Sequence, residues 1–328
     1  MRAVRCEAYG GPETLNVRDI PVPVAGPRQV VVRVEAAAVN YPDVLVAADH
    51  YQVSVPTPFT VGSEFAGTVL SVGPGVRAVA PGDPVAGVSF TGAFAEKIAV
   101  PESALSPIPH GLSMIQAAAF GVTYRTAYHS LVTIGEMRPG DSVVVLGAAG
   151  GVGTACVDIA TRLGGRVIAA AASEARIELC RRLGAVAGIA YEHEDLKERI
   201  KVITGGRGAD VIIDPVGGAY AEQSIRAIAW GGRYVCVGFA NGEIPRIPMN
   251  LVLLKGAILR GFEIRTLAEH RPDAVAEGKK AIARLISEGM RPHVSEVWPL
   301  EDAPRALALM QDRAAHGKIV LDPTMRPR

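Results

Sequence analysis

The sequence predicts an α/β protein: a β-rich first part followed by a doubly wound parallel-sheet domain. Three observations lead there. Apolar strand-like runs alternate with helical patterns through the middle of the chain, and a glycine-rich turn follows the first of those strands. Before them, residues 1–120 carry short strands punctuated by Gly/Pro turns.

In that first part, residues 30–36 and 66–73 have strand character. Turns fall at Gly10-Gly11-Pro12, Gly26-Pro27, Gly73-Pro74-Gly75 and Pro81-Gly82-Asp83-Pro84. Close spacing of such pieces predicts a small barrel or sandwich-like unit. From Ser142 the pattern changes. Strands are expected at 142–146, 166–171, 187–190, 210–214 and 233–237, with helices at 152–163, 174–183, 195–204 and 221–229 between them. Continuous apolar strands need cover on both faces, and right-handed crossovers supply it. After Gly261 the alternation stops. A helix at 273–287, a strand at 294–299, a helix at 300–313 and a strand at 318–321 close the chain.

Composition narrows the function classes. At roughly 150 residues per domain, 328 residues predict about two domains. Lys+Arg at 34 and Asp+Glu at 33 leave a net charge of +1, with no basic run and no basic–aromatic cluster, which argues against a nucleic-acid partner. A hydrophobic content of 49% supplies full cores and excludes disorder for most of the chain. The longest uncharged run, 103–124, contains Pro107, Pro109, His110 and Gln116 and does not read as a membrane span. Residues 1–7 hold no apolar signal core, and four scattered cysteines form no CxxC pair. A soluble, reduced, cytoplasmic protein is expected.

The run Val143-Val144-Val145-Leu146 leads into Gly147-Ala148-Ala149-Gly150-Gly151-Val152-Gly153 and then a helix. Glycines there let backbone N–H groups and the positive helix end approach a pyrophosphate without Cβ interference. The alternative is a tight turn that serves only packing; the surrounding strand–helix alternation favours a dinucleotide. NAD binders place an acid at the end of the second strand. Here that position is Ala171, followed by Ser173, with Arg176 one helical turn on and Tyr191 at the end of the third strand. Without a carboxylate to repel a 2′-phosphate, NADPH is the expected cofactor.

Together, Val39-Asn40-Tyr41-Pro42-Asp43, Gly62-Ser63-Glu64, Thr123-Tyr124-Arg125-Thr126-Ala127-Tyr128, the glycine loop, Asp214-Pro215-Val216-Gly217-Gly218 and Gly317-Lys318-Ile319-Val320-Leu321 resemble the zinc-independent medium-chain reductases, specifically NADPH:quinone oxidoreductases of the zeta-crystallin type. The resemblance covers nearly the whole chain. It implies a GroES-like catalytic domain from 1–124 plus 266–328, a Rossmann dinucleotide-binding domain at 125–265, and a homodimer. It also implies that Asn40 and Tyr51 line the acceptor pocket with Asp43 fixing the local loop. Thr123 would stand beside the nicotinamide. The cofactor set becomes Thr123, Gly147, Ala149, Gly150, Gly151, Val152, Gly153, Ser173, Arg176, Tyr191, Val237, Gly238, Phe239 and Lys318.

Zinc-dependent relatives carry Cys where this chain has Asn40 and His where it has Ser63, keeping only the carboxylate at Glu64. Amide and hydroxyl are poor zinc donors, so no metal is expected. Without a Lewis acid, the expected chemistry is hydride delivery to a quinone or a similar conjugated carbonyl. The rival within enzymes is an alkenal or enone reductase. The rival outside them is a crystallin-like or RNA-binding protein that holds NADPH without turnover.

Overall fold

In the computed structural model, which describes residues 1–326, the valine run at 30–32 lies in the long strand Gln29–Ala38. That strand organises the β-rich unit. It pairs antiparallel with Glu64–Val72, with Lys97–Pro101 at its start and with Lys318–Asp322 at its end. Beyond these lie Val294–Pro299 on one side and Pro84–Val88 and Leu105–Pro107 on the other. A smaller antiparallel sheet orders Asn16–Asp19, Arg2–Cys6 and Phe59–Thr60. Phe65 and Phe94 are fully buried in the core between these strands, together with Val4, Val32 and Leu307.

The second unit has one six-stranded parallel sheet in the order Ala187–Ala190, Arg166–Ala171, Ser142–Leu146, Ala209–Asp214, Ile228–Cys236, Ile258–Gly261. In chain order this is 3-2-1-4-5-6, the Rossmann arrangement, with its switch point beside Ser142–Leu146. Val144 is paired with Ile168 on one side and Ile212 on the other, and all three are buried. The doubly wound sheet expected from sequence is therefore present.

Two details differ from the sequence expectation. The helix expected at 221–229 is Ala219–Arg226, and the next strand starts at Ile228 rather than 233. Ala209 pairs with Ile228, and the register then shifts to pair Val211 with Arg233, leaving Gly231 at φ +72°. The strand Ile258–Gly261 has no counterpart in the expectation; it is four residues long, at the sheet edge, with Ile258 and Leu259 exposed. Ahead of the parallel sheet a helix begins at Thr123 and widens at His129–Ile134, where the Gly135 N–H reaches Ser130 O over five residues.

The compact units run Met1–Val122 with the stretch from Ile286 onward, and Thr123–Leu285. The expected second crossing, at 265/266, instead lies after Leu285, because the helices Ile264–His270 and Pro272–Ser287 fall largely within the second unit. Among the described residues, no helix is long and apolar enough to cross a membrane.

Candidate active site

The first group of site residues gathers at the C-terminal ends of the parallel strands. Gly147 has φ +57°, and a Cβ there would lie 2.8 Å from Val216 Cγ2. At Gly153 the φ is ordinary but a Cβ would stand 2.2 Å from Gly147 O, so only glycine fits the helix against the turn. The Ala148 N–H donates to Ala170 O at 3.0 Å and the Gly150 N–H to Gly147 O at 2.9 Å, which fixes the loop. Gly150 is the N-cap of the helix Gly151–Arg162 and brings no capping side chain. The first-turn N–H groups thus start from a residue that cannot cap them, as a phosphate-binding turn requires.

At the second strand end, Ala171 is buried and uncharged. Ser173 caps the helix Glu174–Arg182, yet its hydroxyl makes no capping bond. Arg176 is half-buried in the first turn of that helix. The Tyr191 N–H donates to Ala171 O at 3.1 Å, and its ring lies 4.4 Å from that of Tyr220. Ala171, Ser173, Arg176 and Tyr191 thus come from one strand end, the helix start after it and the neighbouring strand end. A small neutral floor with hydroxyl and guanidinium donors fits a 2′-phosphate, and the glycine turn fits a pyrophosphate.

The end of Ala209–Asp214 and its neighbour Ile228–Cys236 hold two residues that sequence reasoning missed, Asp214 and Tyr234. Asp214 Oδ1 accepts the N–H groups of Val216 at 2.7 Å and Gly217 at 2.8 Å, and Oδ2 accepts the Tyr234 hydroxyl. Its carbonyl accepts Val237 N–H at 2.8 Å and Gly238 N–H at 3.3 Å. One buried residue thereby shapes both loops, including the one that carries Val237, Gly238 and the exposed Phe239. Burial pushes its carboxyl above the usual range, while Tyr234 and the two amides work against that rise. The available signal was a carboxylate ending the apolar run Val211-Ile212-Ile213 immediately before Pro-Val-Gly-Gly.

The second group lies in the β-rich unit and is a buried polar network. Asn40, Asp43, Glu64 and Lys318 are each 3% exposed or less. The Lys318 ammonium donates to Asn40 Oδ1 at 2.6 Å, Val39 O at 3.1 Å and Glu64 Oε2 at 3.2 Å. The Asn40 amide donates to Glu64 Oε2 at 3.0 Å and Ala38 O at 3.2 Å. Glu64 Oε1 accepts the Val122 N–H at 2.8 Å. Asp43 accepts the Asn40 N–H at 2.8 Å and the Ser63 hydroxyl at 2.7 Å, holding the start of the helix Tyr41–Ala47. Burial pushes the Asp43 carboxyl up to about 7, against the pull of Ser63, Asn40 and Lys318.

Two expected roles change here. Asn40 is expected to line the acceptor pocket, but both its amide hydrogens are committed inside the network. Lys318 is expected among the cofactor residues, but its three donors are spent on Val39, Asn40 and Glu64. Tyr51 is half-buried, with its ring 5.9 Å from that of Phe90. Thr123 is buried at the start of the helix Thr123–Tyr128. His129 is buried against Gly278, and its Nδ1 lies 2.7 Å from Thr133 Oγ1. Burial, with Arg125 and Arg271 nearby, pushes its pKa down to about 4, so it is neutral at physiological pH.

Family models match both units. One described as alcohol dehydrogenase GroES-like domain covers residues 26–110, and one described as zinc-binding dehydrogenase covers 151–279. A curated relative, "Quinone oxidoreductase-like protein 2 homolog" of Nematostella vectensis, is 35% identical over 98% of this chain and 88% of its own length. The chain belongs to the medium-chain dehydrogenases/reductases of the quinone oxidoreductase type. Solved structures agree. A probable oxidoreductase from Mycobacterium abscessus superposes with a TM-score of 0.90 at 35% identity, over 98% of this chain and 99% of that one. The quinone oxidoreductase of Thermus thermophilus, described with its NADPH complex, does so with 0.86 at 34%, over 98% and 100%.

The carboxylate at Glu64 already faces a buried ammonium. Among the described residues, no group of three or more His, Cys, Asp or Glu is placed to hold a metal ion.

Proposed function

We propose that this chain is an NADPH-dependent, metal-free reductase of quinones or similar conjugated carbonyls. The observation that carries the reading is the uncharged end of the second strand. Ala171 stands where an acid would select against a 2′-phosphate, and Ser173, Arg176 and Tyr191 follow on the helix start after it and at the neighbouring strand end, whose Tyr191 N–H donates to Ala171 O. The crystal structure of the Thermus relative, described with its NADPH complex, supports the same cofactor.

In this reading the turn from Gly147 through Ala149, Gly150, Gly151, Val152 and Gly153 binds the pyrophosphate through backbone N–H groups. Arg176, Ser173 and Tyr191 hold the 2′-phosphate. Thr123, Val237, Gly238 and Phe239 flank the nicotinamide, the last three on a loop that Asp214 shapes. NADPH, when bound, supplies a hydride to an acceptor that is already electrophilic. Tyr51 donates a hydrogen bond to the acceptor oxygen as negative charge develops there. In this reading no zinc takes part, and the Lys318 ammonium against Glu64 supports that. We further place the chain as a homodimer in the cytoplasm. The apolar edge strand Ile258–Gly261 and exposed Trp230 and Leu253 support self-association, and four free cysteines suit a reducing compartment.

NADPH absorbance followed with a panel of quinones, enones and enals tests the proposal. Oxidation with quinones is the expected result, surviving prolonged chelation. Tight NADPH binding with no oxidation by any acceptor would instead mark a nucleotide-binding protein without turnover.

A further inference from the structure

Glu64 has a task that its neighbours reveal. It is 1% exposed, and Oε2 is held by Lys318 and Asn40 while Oε1 holds the backbone N–H of Val122 at 2.8 Å. Val122 ends the first segment of the β-rich unit, and the next residue is Thr123. The approach is close. A Cβ on Gly121 would lie 3.2 Å from Glu64 Oε1 and 2.9 Å from Val88 Cγ2. On the other side of Thr123, the Tyr124 hydroxyl donates to Asp158 Oδ2 at 3.3 Å. Asp158 belongs to the helix Gly151–Arg162, which the glycine turn opens, and it is also gripped by Arg162 Nε at 2.6 Å. Thr123 is thus bracketed by two buried carboxylates, one acting on the residue before it and one on the residue after.

We infer that Glu64 and Lys318 are positioning residues: their buried ion pair anchors the Val122 backbone and so sets where Thr123 stands for the nicotinamide end of the cofactor. The inference rests on the NADPH reading above. Lys318 neutralises a carboxylate that has no other cation among its bonded partners, and Glu64 then presents a fixed, charged acceptor to the Val122 N–H. A charged acceptor on a buried amide holds more strongly than a neutral one.

Two double variants separate the anchor from the charge. Glu64→Gln with Lys318→Met removes both charges but keeps a carbonyl oxygen for Val122. Glu64→Leu with Lys318→Met also removes both and leaves Val122 without that acceptor. The expected result in the first is hydrogen exchange at Val122 faster than native by a few-fold only, because the acceptor stays but loses its charge. In the second, exchange is faster and NADPH affinity weaker, each by about tenfold, while adenosine 2′,5′-bisphosphate, which lacks nicotinamide, binds unchanged. Native Val122 protection and native NADPH affinity in the leucine variant would overturn the inference. If that variant does not fold, the unmodified protein decides, because a freely exchanging Val122 amide would overturn the anchor outright. The exchange measurement needs no cofactor. Expected exchange with no NADPH binding to the unmodified chain would fault the cofactor reading and leave the anchor standing.

Discussion

Gly153→Ala probes the glycine turn where the geometry is tightest. The new Cβ would meet Gly147 O at 2.2 Å and the Ala148 backbone at 2.7 Å, against carbon contacts that are comfortable at roughly 3.5–4 Å. These are main-chain atoms, so no side chain can swing away. Either the helix Gly151–Arg162 or the turn must move by roughly 1 Å. Overpacking of this kind costs about 1–3 kcal/mol. At roughly 2–4 °C per kcal/mol, Tm should fall by roughly 2–12 °C. The same movement displaces the N–H groups offered to the pyrophosphate, so NADPH should bind at least about tenfold more weakly, or about 1.4 kcal/mol. Gly150→Ala is the control. Its φ is −81° and its Cβ would meet only Gly147 O at 3.3 Å, so its stability should stay within about 0.5 kcal/mol of the unmodified chain. Thermal melts and NADPH titrations of the three proteins are the assay. A Gly153→Ala protein with unchanged Tm and unchanged NADPH affinity would refute the reasoning.

Other expectations follow from the buried network and from Tyr51. The Asp43 carboxyl rises from an ordinary value near 4 when unfolded to about 7 when folded. Its contribution is therefore fully present below the unfolded value and is lost as pH rises toward and through 7, on the order of 4 kcal/mol in all. Asp43→Asn cannot ionise, and the Ser63 hydroxyl can turn to accept its amide, so Tm measured between pH 4 and 8 should fall less with pH than in the unmodified chain; parallel slopes would contradict this. Lys318→Met leaves Glu64 charged and buried, a loss of about 3–5 kcal/mol that Glu64→Gln should largely restore in denaturant melts. Failure of the second change to restore stability would deny the ion pair. Tyr51→Phe should lower turnover with several acceptors at unchanged NADPH affinity, and unaltered turnover would return Tyr51 to packing against Phe90.

Local pattern carried the sequence reading as far as local causes reach. The parallel strands were legible because runs such as Val143-Val144-Val145-Leu146 are buried on both faces and show no polar alternation. The strand Ile258–Gly261 was not, since an edge strand of four residues, each at least partly exposed, has no such signature. The start of Ile228–Cys236 was hidden by Trp230-Gly231-Gly232, which reads as a turn but is drawn into the sheet by the pairing of Ile228 with Ala209. In the site, the glycine turn and the strand end at Ala171 were readable because each is one contiguous segment. The role of Lys318 was not. Its ammonium meets Asn40 across 278 residues of sequence, and only the pairing of Lys318–Asp322 with Gln29–Ala38 brings them together. For the same reason sequence could name Asn40 as a polar candidate but could not see that its amide hydrogens were already spent.

Cofactor choice is where the account can be tested most directly, by fluorescence titration of NADPH and NADH against three proteins. The unmodified chain should prefer NADPH. Arg176→Ala should lose about 1.5–3 kcal/mol toward NADPH, roughly ten- to a hundredfold, with NADH nearly untouched. Ala171→Asp should place a charge against the 2′-phosphate and reverse the preference. An unmodified chain that binds NADH as tightly as NADPH would contradict the account of the second strand end, and with it the proposed reductase.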